Sequence, residues 1–294
     1  MGMEYPKQES AFFSQTLYKK ALECASTSHK EQKTPHGYPY LHHVTSVAME
    51  VMAMLTAEHP SFDEANVALQ CAILHDVLED TQTSEEELKS YYVLDTKVIE
   101  GVKALTKDKT LPDKRGQMKD SLERLLLQPT CVQWVKLADR ITNLGIPPYF
   151  WNKTKIVHYQ DEAKEILHVL QNASHYLAHR LQIQIDMYDA YIQNASPYLV
   201  FLSSHSVGDK KACLIWDKNS DTYLQKIKPF IKLNHYLLNQ CNFEFFTSPQ
   251  NEMGVEHVLK SYVEISLDEA HYRYLNEQRF KENPTLKSLL NEIY

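Results

Sequence analysis

The stretch AILHDVLEDT, residues 72–81, combines the apolar pattern of a buried helix with acidic side chains and a histidine. Its apolar residues cover most of the circumference of a helix, which indicates that the helix is buried. It also carries four titratable side chains: His75, Asp76, Glu79 and Asp80. His75 and Glu79 are four residues apart and share a helix face, and the same holds for the two aspartates. A buried carboxylate is costly unless it is paired or bound to metal. The stretch therefore indicates a metal site, a structural His–Asp pair, or a solvated helix end.

A second segment, VKLADRITNL at 135–144, repeats this combination of apolar and acidic residues. Asp139 adjoins an apolar stripe of helical period. Lys136 and Asn143 lie on its own face, three residues before it and four after it. The alternative is a polar stripe on an exposed helix face.

A third segment, PYLHHV at 39–44, offers two histidines. His43 lies beside the inward stripe of valines and is the candidate for the interior, whereas His42 faces away. A single inward histidine is more often a satisfied core residue than a ligand.

Taken together, two imidazoles and two carboxylates from three helices make a mixed nitrogen and oxygen site: His43, His75, Asp76 and Asp139. Without a thiolate, such a site suits Mn²⁺, Fe²⁺ or another borderline-hard divalent ion that keeps water in its open positions. Glu79 and Asp80 are expected just beyond these ligands, where an activated water needs a proton acceptor.

Composition narrows the class of protein. The chain has 294 residues, with 31 Lys and Arg against 38 Asp and Glu, a net charge of −7. Such an acidic chain is not expected to bind nucleic acid non-specifically.

No apolar run is long enough for a membrane span, and the N-terminus lacks a signal-peptide pattern. The 7 glycines are too far apart for a GxGxxG or P-loop motif. None of the 5 cysteines forms a CxxC pair, so we expect reduced thiols in a cytoplasmic protein.

The periodicity predicts a mainly α protein, with a helical domain over 1–195 and a small α+β domain of unknown role over 196–294. Helices are predicted at 8–29, 40–57, 63–80, 84–91, 95–106, 114–128, 130–144, 153–171 and 175–193. Ser84 and Glu87 form a capping-box pattern. In the second domain, strands are predicted at 198–202, 212–216, 242–246 and 262–265, with helices at 222–239 and 267–280.

The motifs PYxxH at 39–43, HDxxEDT at 75–81 and VKLADRxxN at 135–143 resemble those of HD-domain phosphohydrolases. More narrowly, they are similar to the hydrolase domain of RelA/SpoT homologues and to small alarmone hydrolases. The resemblance covers roughly residues 10–190 and implies an all-helical HD-domain fold. It also implies hydrolysis of the 3′-pyrophosphate of ppGpp and pppGpp, the alarmones of the stringent response, by a metal-activated water with Mn²⁺.

The resemblance also implies roles for individual residues. The metal ligands would be the same four side chains, and Glu79 and Asp80 would orient and deprotonate the attacking water. Asn143 matches a residue that contacts the nucleotide, and Lys155 and Tyr159 match a phosphate-side pair. Residues 97–119 hold seven basic and three acidic side chains, so this stretch could bind a polyphosphate. Lys109, within that stretch, and Lys136 are further candidates for substrate binding.

The chain departs from the family pattern where the family reads the base. A basic pair is replaced by Thr34 and Pro35, and Gly145 and Ile146 follow where the family has a Met/Leu-Arg-Thr run. These changes leave three hypotheses open. The chain hydrolyses a (p)ppGpp-like nucleotide, or it acts on a different phosphorylated nucleotide such as NADPH at its 2′-phosphate, or it is a catalytically silent nucleotide-sensing module.

Overall fold

The computed structural model describes residues 12–90, 92–207, 209–220, 246–247, 259 and 262–264. The chain divides into two compact units. The first comprises Met1–Ile146 and Tyr159–Asp189, and the second comprises Pro147–His158 and Ala190–Tyr294. The domain division between residues 195 and 196 stays a prediction.

The described part of the chain is mainly helical, which confirms the predicted fold class. The helices are α1 Gln15–His29, α2 Tyr40–Glu58, α3 Phe62–Leu74, α4 Val77–Asp80, α5 Glu85–Ser90, α6 Thr96–Leu105, α7 Lys114–Leu126, α8 Thr130–Asn143, α9 Lys153–Leu170 and α10 His175–Gln193. No helix in the described residues is long and apolar enough to cross a membrane. The described cysteines are buried: Cys24, Cys71, Cys131 and Cys213.

Several helices begin at residues whose side chains accept hydrogen bonds from the first turn. Ser61 and Glu64 form a complete capping box at the start of α3. The predicted box before α5 is confirmed: the Ser84 N–H donates to Glu87 Oε2 at 2.8 Å, and the Glu87 N–H donates to Ser84 Oγ at 3.2 Å. Helix α1 begins at Gln15 after its cap Ser14, so the prediction of helix from residue 8 is wrong at residues 12–14.

The helix predicted over 63–80 is interrupted at His75 and Asp76, between α3 and α4. Adjacent residues on a regular α-helix point about 100° apart. Asp76 has φ −100° and ψ −1°, outside regular helical values. The interruption lets both side chains face the same centre.

Helices α2, α3 and α8 pack against one another to form the core of the first unit. Their contacting faces are aliphatic, with Val47 and Val51 on α2, Ala68 and Ala72 on α3, and Ala138 on α8 all fully buried. This packing brings the polar ends of the three helices to one place.

The second unit contains a four-stranded sheet in the order β3-β1-β2-β4. Its strands are β1 Tyr198–Val207, β2 Lys210–Asp217, β3 Phe246–Thr247 and β4 Tyr262–Glu264. β1 pairs antiparallel with β2 and β3, and β2 pairs parallel with β4. The helices predicted at 222–239 and 267–280, and most of the strand predicted at 242–246, lie outside the described residues.

Candidate metal centre and active site

Four side chains from α2, the α3–α4 break and α8 converge on one point of the first unit. His43 Nε2 lies 3.3 Å from His75 Nε2 and 3.6 Å from Asp76 Oδ2. His75 Nε2 lies 3.0 Å from the same Asp76 oxygen. Asp139 Oδ1 lies 3.4 Å from His43 Nε2 and 3.6 Å from His75 Nε2. The structure thus brings together the four residues that the sequence predicts as ligands.

Hydrogen bonding around His75 leaves a lone pair directed at this centre. The His75 Nδ1–H donates to the Ala72 carbonyl oxygen at 2.8 Å, because a carbonyl can only accept. In the neutral imidazole, Nε2 is then an acceptor. Two imidazole nitrogens and two carboxylate oxygens therefore meet with an excess of acceptors, and such a cluster requires protons or a cation between its members.

The charges at the centre shift the pKa values of its members. Burial acts to lower the pKa of His75, but the carboxylates of Asp76 and Asp139 outweigh it and raise that pKa well above its usual value. For His43 the same balance of burial against hydrogen bonds to the two carboxylates also leaves the pKa raised. Burial acts to raise the pKa of both aspartates, but the imidazoles hold these pKa values below their usual range. The field therefore favours positive charge at this point.

The Asp139 carboxylate is held on both of its oxygens. Asn143 Nδ2 donates to Oδ1 at 2.5 Å, and the Lys136 ammonium lies 3.6 Å from Oδ2. Lys136 is 6% exposed, and burial lowers its pKa. Lys136 and Asn143 were predicted to contact substrate, and in this structure both contact Asp139.

The donor set and its spacing fit a single divalent ion. Nitrogen and oxygen ligands about 2.1 Å from one ion lie roughly 3.0–3.4 Å apart when they occupy neighbouring positions. Three of the five separations, at 3.0, 3.3 and 3.4 Å, fall in that range, and the other two, at 3.6 Å, lie just above it. Within the described residues, His43, His75 and Asp76 form a group able to hold a metal ion. Asp139 is outside that group, but its Oδ1 approaches both imidazole nitrogens from the side of α8, at 3.4 and 3.6 Å. Two imidazoles with carboxylates suit a borderline-hard ion.

Glu79 lies on α4 and faces the loop that follows α6. Its Oε2 accepts a hydrogen bond from the Lys107 backbone N–H at 3.1 Å. The Lys109 ammonium donates to the Glu79 carbonyl oxygen at 2.6 Å and lies 4.0 Å from Asp80 Oδ1. Lys109, a predicted substrate ligand, therefore lies over α4 beside both candidate proton acceptors.

Asp80 is joined to the centre through residues that sequence reasoning missed. The Tyr40 hydroxyl donates to Asp76 Oδ2 at 2.5 Å and lies 3.4 Å from Asp80 Oδ2. Gln32 Nε2 donates to the same Asp80 oxygen at 3.3 Å. Burial and the neighbouring Asp76 raise the pKa of Tyr40, so its hydroxyl keeps its proton. Tyr40 belongs to the PYxxH motif, so its hydroxyl is a feature of the sequence that could have indicated a contact with the site.

The remaining predicted substrate ligands lie in different units. Tyr159 lies in the first unit beneath the Arg140 guanidinium, 4.3 Å from its ring centroid, and burial raises its pKa to about 12. Lys155 lies in the second unit, where its ammonium is 4.5 Å from the Trp151 ring centroid.

The residues at the altered base-reading positions lie near one another. His36 Nε2 is 2.9 Å from the Ile146 carbonyl oxygen, which joins the loop after α1 to the end of α8. Thr34 and Pro35 directly precede His36, so none of the three altered positions brings a cation to this place.

Two lysines of the basic stretch at 97–119 are paired with acidic side chains. Lys103 pairs with Glu85 and Glu100, and Lys119 lies 3.9 Å from Glu123. Lys107 and Lys109 are the members of the stretch that contact α4 beside the centre.

Two histidines and two aspartates, presented in the order H, HD, D by a helical domain, define an HD-domain hydrolase. The family model described as an HD domain matches residues 21–183, and the chain belongs to that family.

Curated relatives match the chain over most of their own length. Guanosine-3′,5′-bis(diphosphate) 3′-pyrophosphohydrolase MESH1 of Xenopus tropicalis is 34% identical over 177 residues, which cover 56% of this chain and 90% of that relative. The Homo sapiens protein of the same name is 31% identical over 168 residues, 55% of this chain and 89% of the relative.

A longer relative and a solved structure also match the chain, and they are covered to different shares of their length. GTP pyrophosphokinase rsh of Brucella melitensis is 32% identical over 219 residues, 73% of this chain and 26% of that protein. A solved structure described as a metazoan orthologue of SpoT that hydrolyses ppGpp is 27% identical, and the match covers 63% of this chain and 97% of the other, with a TM-score of 0.49.

Proposed function

We propose that this chain hydrolyses the 3′-pyrophosphate of a (p)ppGpp-like nucleotide in a metal-dependent reaction. The observation that carries the proposal is that both imidazole nitrogens lie 3.0–3.6 Å from one oxygen of Asp76 and from one oxygen of Asp139. Two further acids, Glu79 and Asp80, follow Asp76 on α4. The names of the relatives at 31–34% identity support the substrate class.

Four residues would hold the ion: His43, His75, Asp76 and Asp139. Mn²⁺ is the proposed ion, and another divalent transition metal would also satisfy a nitrogen and oxygen donor set. A bound ion would supply positive charge opposite the phosphate oxygens and lower the pKa of a water beside it. The chain's own contribution is to fix the ligands: Ala72 orients His75, and Lys136 with Asn143 orients Asp139.

Glu79 and Asp80 are the proposed proton acceptors. The attacking water forms a bond to the phosphorus next to the 3′ oxygen, the bond between that phosphorus and the 3′ oxygen breaks, and pyrophosphate leaves. One of the two carboxylates takes one proton of the water, and that proton passes to the leaving 3′ oxygen, which ends as a hydroxyl while the carboxylate is restored. Both residues lie on the single turn of α4 that follows the ligand Asp76.

Basic and polar side chains are proposed to bind the rest of the substrate. Lys109 lies beside α4 and is 62% exposed, so it can reach a phosphate without losing a buried partner. Asn143 and Tyr159 in the first unit, and Lys155 in the second, stay predicted substrate ligands. For buried Lys136, the proposed role is to balance the charge of Asp139.

A second candidate function is hydrolysis of a different phosphorylated nucleotide, such as NADPH at its 2′-phosphate. The observation that favours it is the absence of a cation at Thr34, Pro35 and Ile146, where the resembling family binds guanine. The third candidate is a silent sensing module, and the presence of Glu79 and Asp80 speaks against it because a sensor has no need of proton acceptors.

One assay separates these candidates. Purified protein with Mn²⁺ is incubated with ppGpp, pppGpp, NADPH and common nucleotides, and released phosphate and pyrophosphate are measured. We expect pyrophosphate from ppGpp and pppGpp. Monophosphate from NADPH alone would favour the second candidate, and tight binding without turnover of any compound would favour the third.

A further inference from the structure

Solvent exposure leaves the Asp80 side chain free to change its orientation. Its side chain is 34% exposed, and it lines a cavity of about 630 Å³ that is open to solvent. The Lys109 ammonium 4.0 Å away is itself 62% exposed, and such a surface pair contributes little. A carboxylate in this setting gains hydration by turning into the cavity, away from the centre.

Three side chains counter that tendency by forming a closed ring with Asp80. Gln32 Nε2 donates to Asp80 Oδ2 at 3.3 Å, and the Tyr40 hydroxyl lies 3.4 Å from the same oxygen. His29 closes the ring, because its Nδ1 is 2.8 Å from Gln32 Oε1 and its imidazole stacks on the Tyr40 ring at 4.6 Å.

Hydrogen-bond polarity around the ring fixes the orientation of the Gln32 amide. The Asp80 carboxylate can only accept, so Gln32 presents its NH₂ group to Asp80 and its oxygen to His29. His29 Nδ1 must then carry the proton. Its Nε2 is then an acceptor, and it is a buried atom without a hydrogen-bond partner in the described structure. Burial lowers the pKa of His29, so the imidazole of this residue stays neutral.

We propose that Gln32 is a positioning residue of the reaction: with its amide oriented by His29, it holds the Asp80 carboxylate toward the metal centre. Tyr40 links this carboxylate to the ligand Asp76, so the ring sets the distance between a proton acceptor and the ion site. The inference rests on the proposed function, since it assigns Gln32 a task only if Asp80 acts on the water.

The kinetic test compares Gln32→Leu with the control Gln82→Leu, because Gln82 lines the same cavity without belonging to the ring. For Gln32→Leu we expect kcat to fall about 10–100-fold, the usual loss for a supporting hydrogen bond, with KM for ppGpp within about twofold and Mn²⁺ content unchanged. Gln82→Leu should stay near the wild-type rate. Gln32→Glu keeps the side-chain shape and cannot donate, so it should reproduce the loss if the leucine variant folds poorly.

A double-mutant cycle separates positioning from a general structural role. In an Asp80→Asn background, Gln32→Leu should cost little more, because the carboxylate that it positions is already gone. An equal loss of kcat in both backgrounds, or a wild-type rate for Gln32→Leu, would overturn the proposal.

Crystal structures of the Mn²⁺-loaded wild type, Gln32→Leu and Gln82→Leu give a readout that needs no turnover. We expect the Asp80 side chain to face the centre in the wild type and in Gln82→Leu, and to turn into the cavity in Gln32→Leu. If Asp80 keeps its position without Gln32, the inference fails. If the wild type hydrolyses no nucleotide, the proposed function fails, and the crystallographic comparison still decides the role of Gln32 in placing Asp80.

Discussion

Asp139 shows most clearly how single residues build the centre. One of its oxygens faces both imidazoles and the Asn143 amide, and the other faces the buried ammonium of Lys136. The carboxylate therefore serves as a candidate ligand and also as the counter-charge of a lysine that is 6% exposed.

Replacing Asp139 by alanine should lower both metal content and stability. Removing one partner of a buried ion pair leaves Lys136 unbalanced, a cost of about 3–5 kcal/mol, and loss of a ligand removes binding energy that is linked to folding. The checks are elemental analysis and the melting temperature. The matched control is Asp161→Ala, whose partner Lys164 is also three residues away but exposed, and which should cost about 0–1 kcal/mol. Equal effects of the two substitutions would contradict this account.

Replacing Glu79 by glutamine should preserve the metal and abolish most of the turnover. The amide oxygen of glutamine can still accept the hydrogen bond from the Lys107 N–H, so the loop after α6 should keep its place. An amide does not take up a proton, and loss of a general base typically lowers the rate about 10²–10⁴-fold. The measurements are kcat and bound Mn²⁺. A rate near that of the wild type would transfer the role of proton acceptor to Asp80 alone.

The sequence predicts the residues of the metal centre more readily than the contacts between side chains around it. Buried polar residues in apolar helices pointed to His43, His75, Asp76 and Asp139, because such residues need an explanation wherever they occur. The ring of His29, Gln32, Tyr40 and Asp80 was missed because it joins residues up to 48 positions apart, and spacing along the chain carries no information on that distance.

At the scale of elements, the helices were predicted well and the interruption at His75 and Asp76 was not. Helical periodicity revealed α2, α6, α8 and α10 to within a residue or two at their ends. The apolar pattern continues through His75 without a glycine or proline, so nothing local marks the end of α3. The interruption follows from what the side chains face, which is tertiary information.

Gly101 explains how α6 can pack closely on α3 and α8. A Cβ atom placed on it would lie 2.7 Å from Cys71 Sγ and 3.1 Å from a methyl group of Val132. Gly101→Ala should therefore destabilise the protein by about 1–3 kcal/mol through overpacking, as read from chemical denaturation. Gly145→Ala is the control, since its Cβ would meet only the Thr142 carbonyl oxygen at 3.8 Å. If Gly101→Ala is as stable as the control, the close approach of α6 is not a constraint.

In the folded protein as a whole, protons and the metal ion should compete for the centre that contains His43 and His75. The imidazole pKa values of His43 and His75 are raised in the ion-free protein, because the two carboxylates outweigh burial. A raised pKa adds stability below the unfolded value of about 6.5, and this stability is lost as pH rises through the folded pKa. The ion meets less proton competition over the same rise.

The gain in melting temperature on adding Mn²⁺ should therefore increase from about pH 6 to about pH 8. Thermal unfolding with and without the ion at each pH measures it. Asp139→Ala, which lacks one proposed ligand, should show a smaller gain throughout. A gain that is constant or that falls with pH would contradict the proposed competition.

Substrate choice should follow the number and position of phosphates more than the identity of the base. Thr34, Pro35 and Ile146 offer no guanidinium or ammonium to a base, and each missing contact forfeits on the order of 1–3 kcal/mol of discrimination. We expect kcat/KM for ppGpp to exceed that for its adenine counterpart by no more than about tenfold. A preference above about a thousandfold would assign base recognition to other residues, with Lys33 as the first candidate.

The central claim is that the four-residue centre holds an ion required for hydrolysis at the 3′ position. The most direct test is to identify the products formed from ppGpp by the Mn²⁺-loaded protein, with and without excess chelator. We expect equal amounts of GDP and pyrophosphate with the ion, and neither with the chelator. Release of monophosphate instead of pyrophosphate, no product at all, or a rate that the chelator leaves unchanged would contradict it.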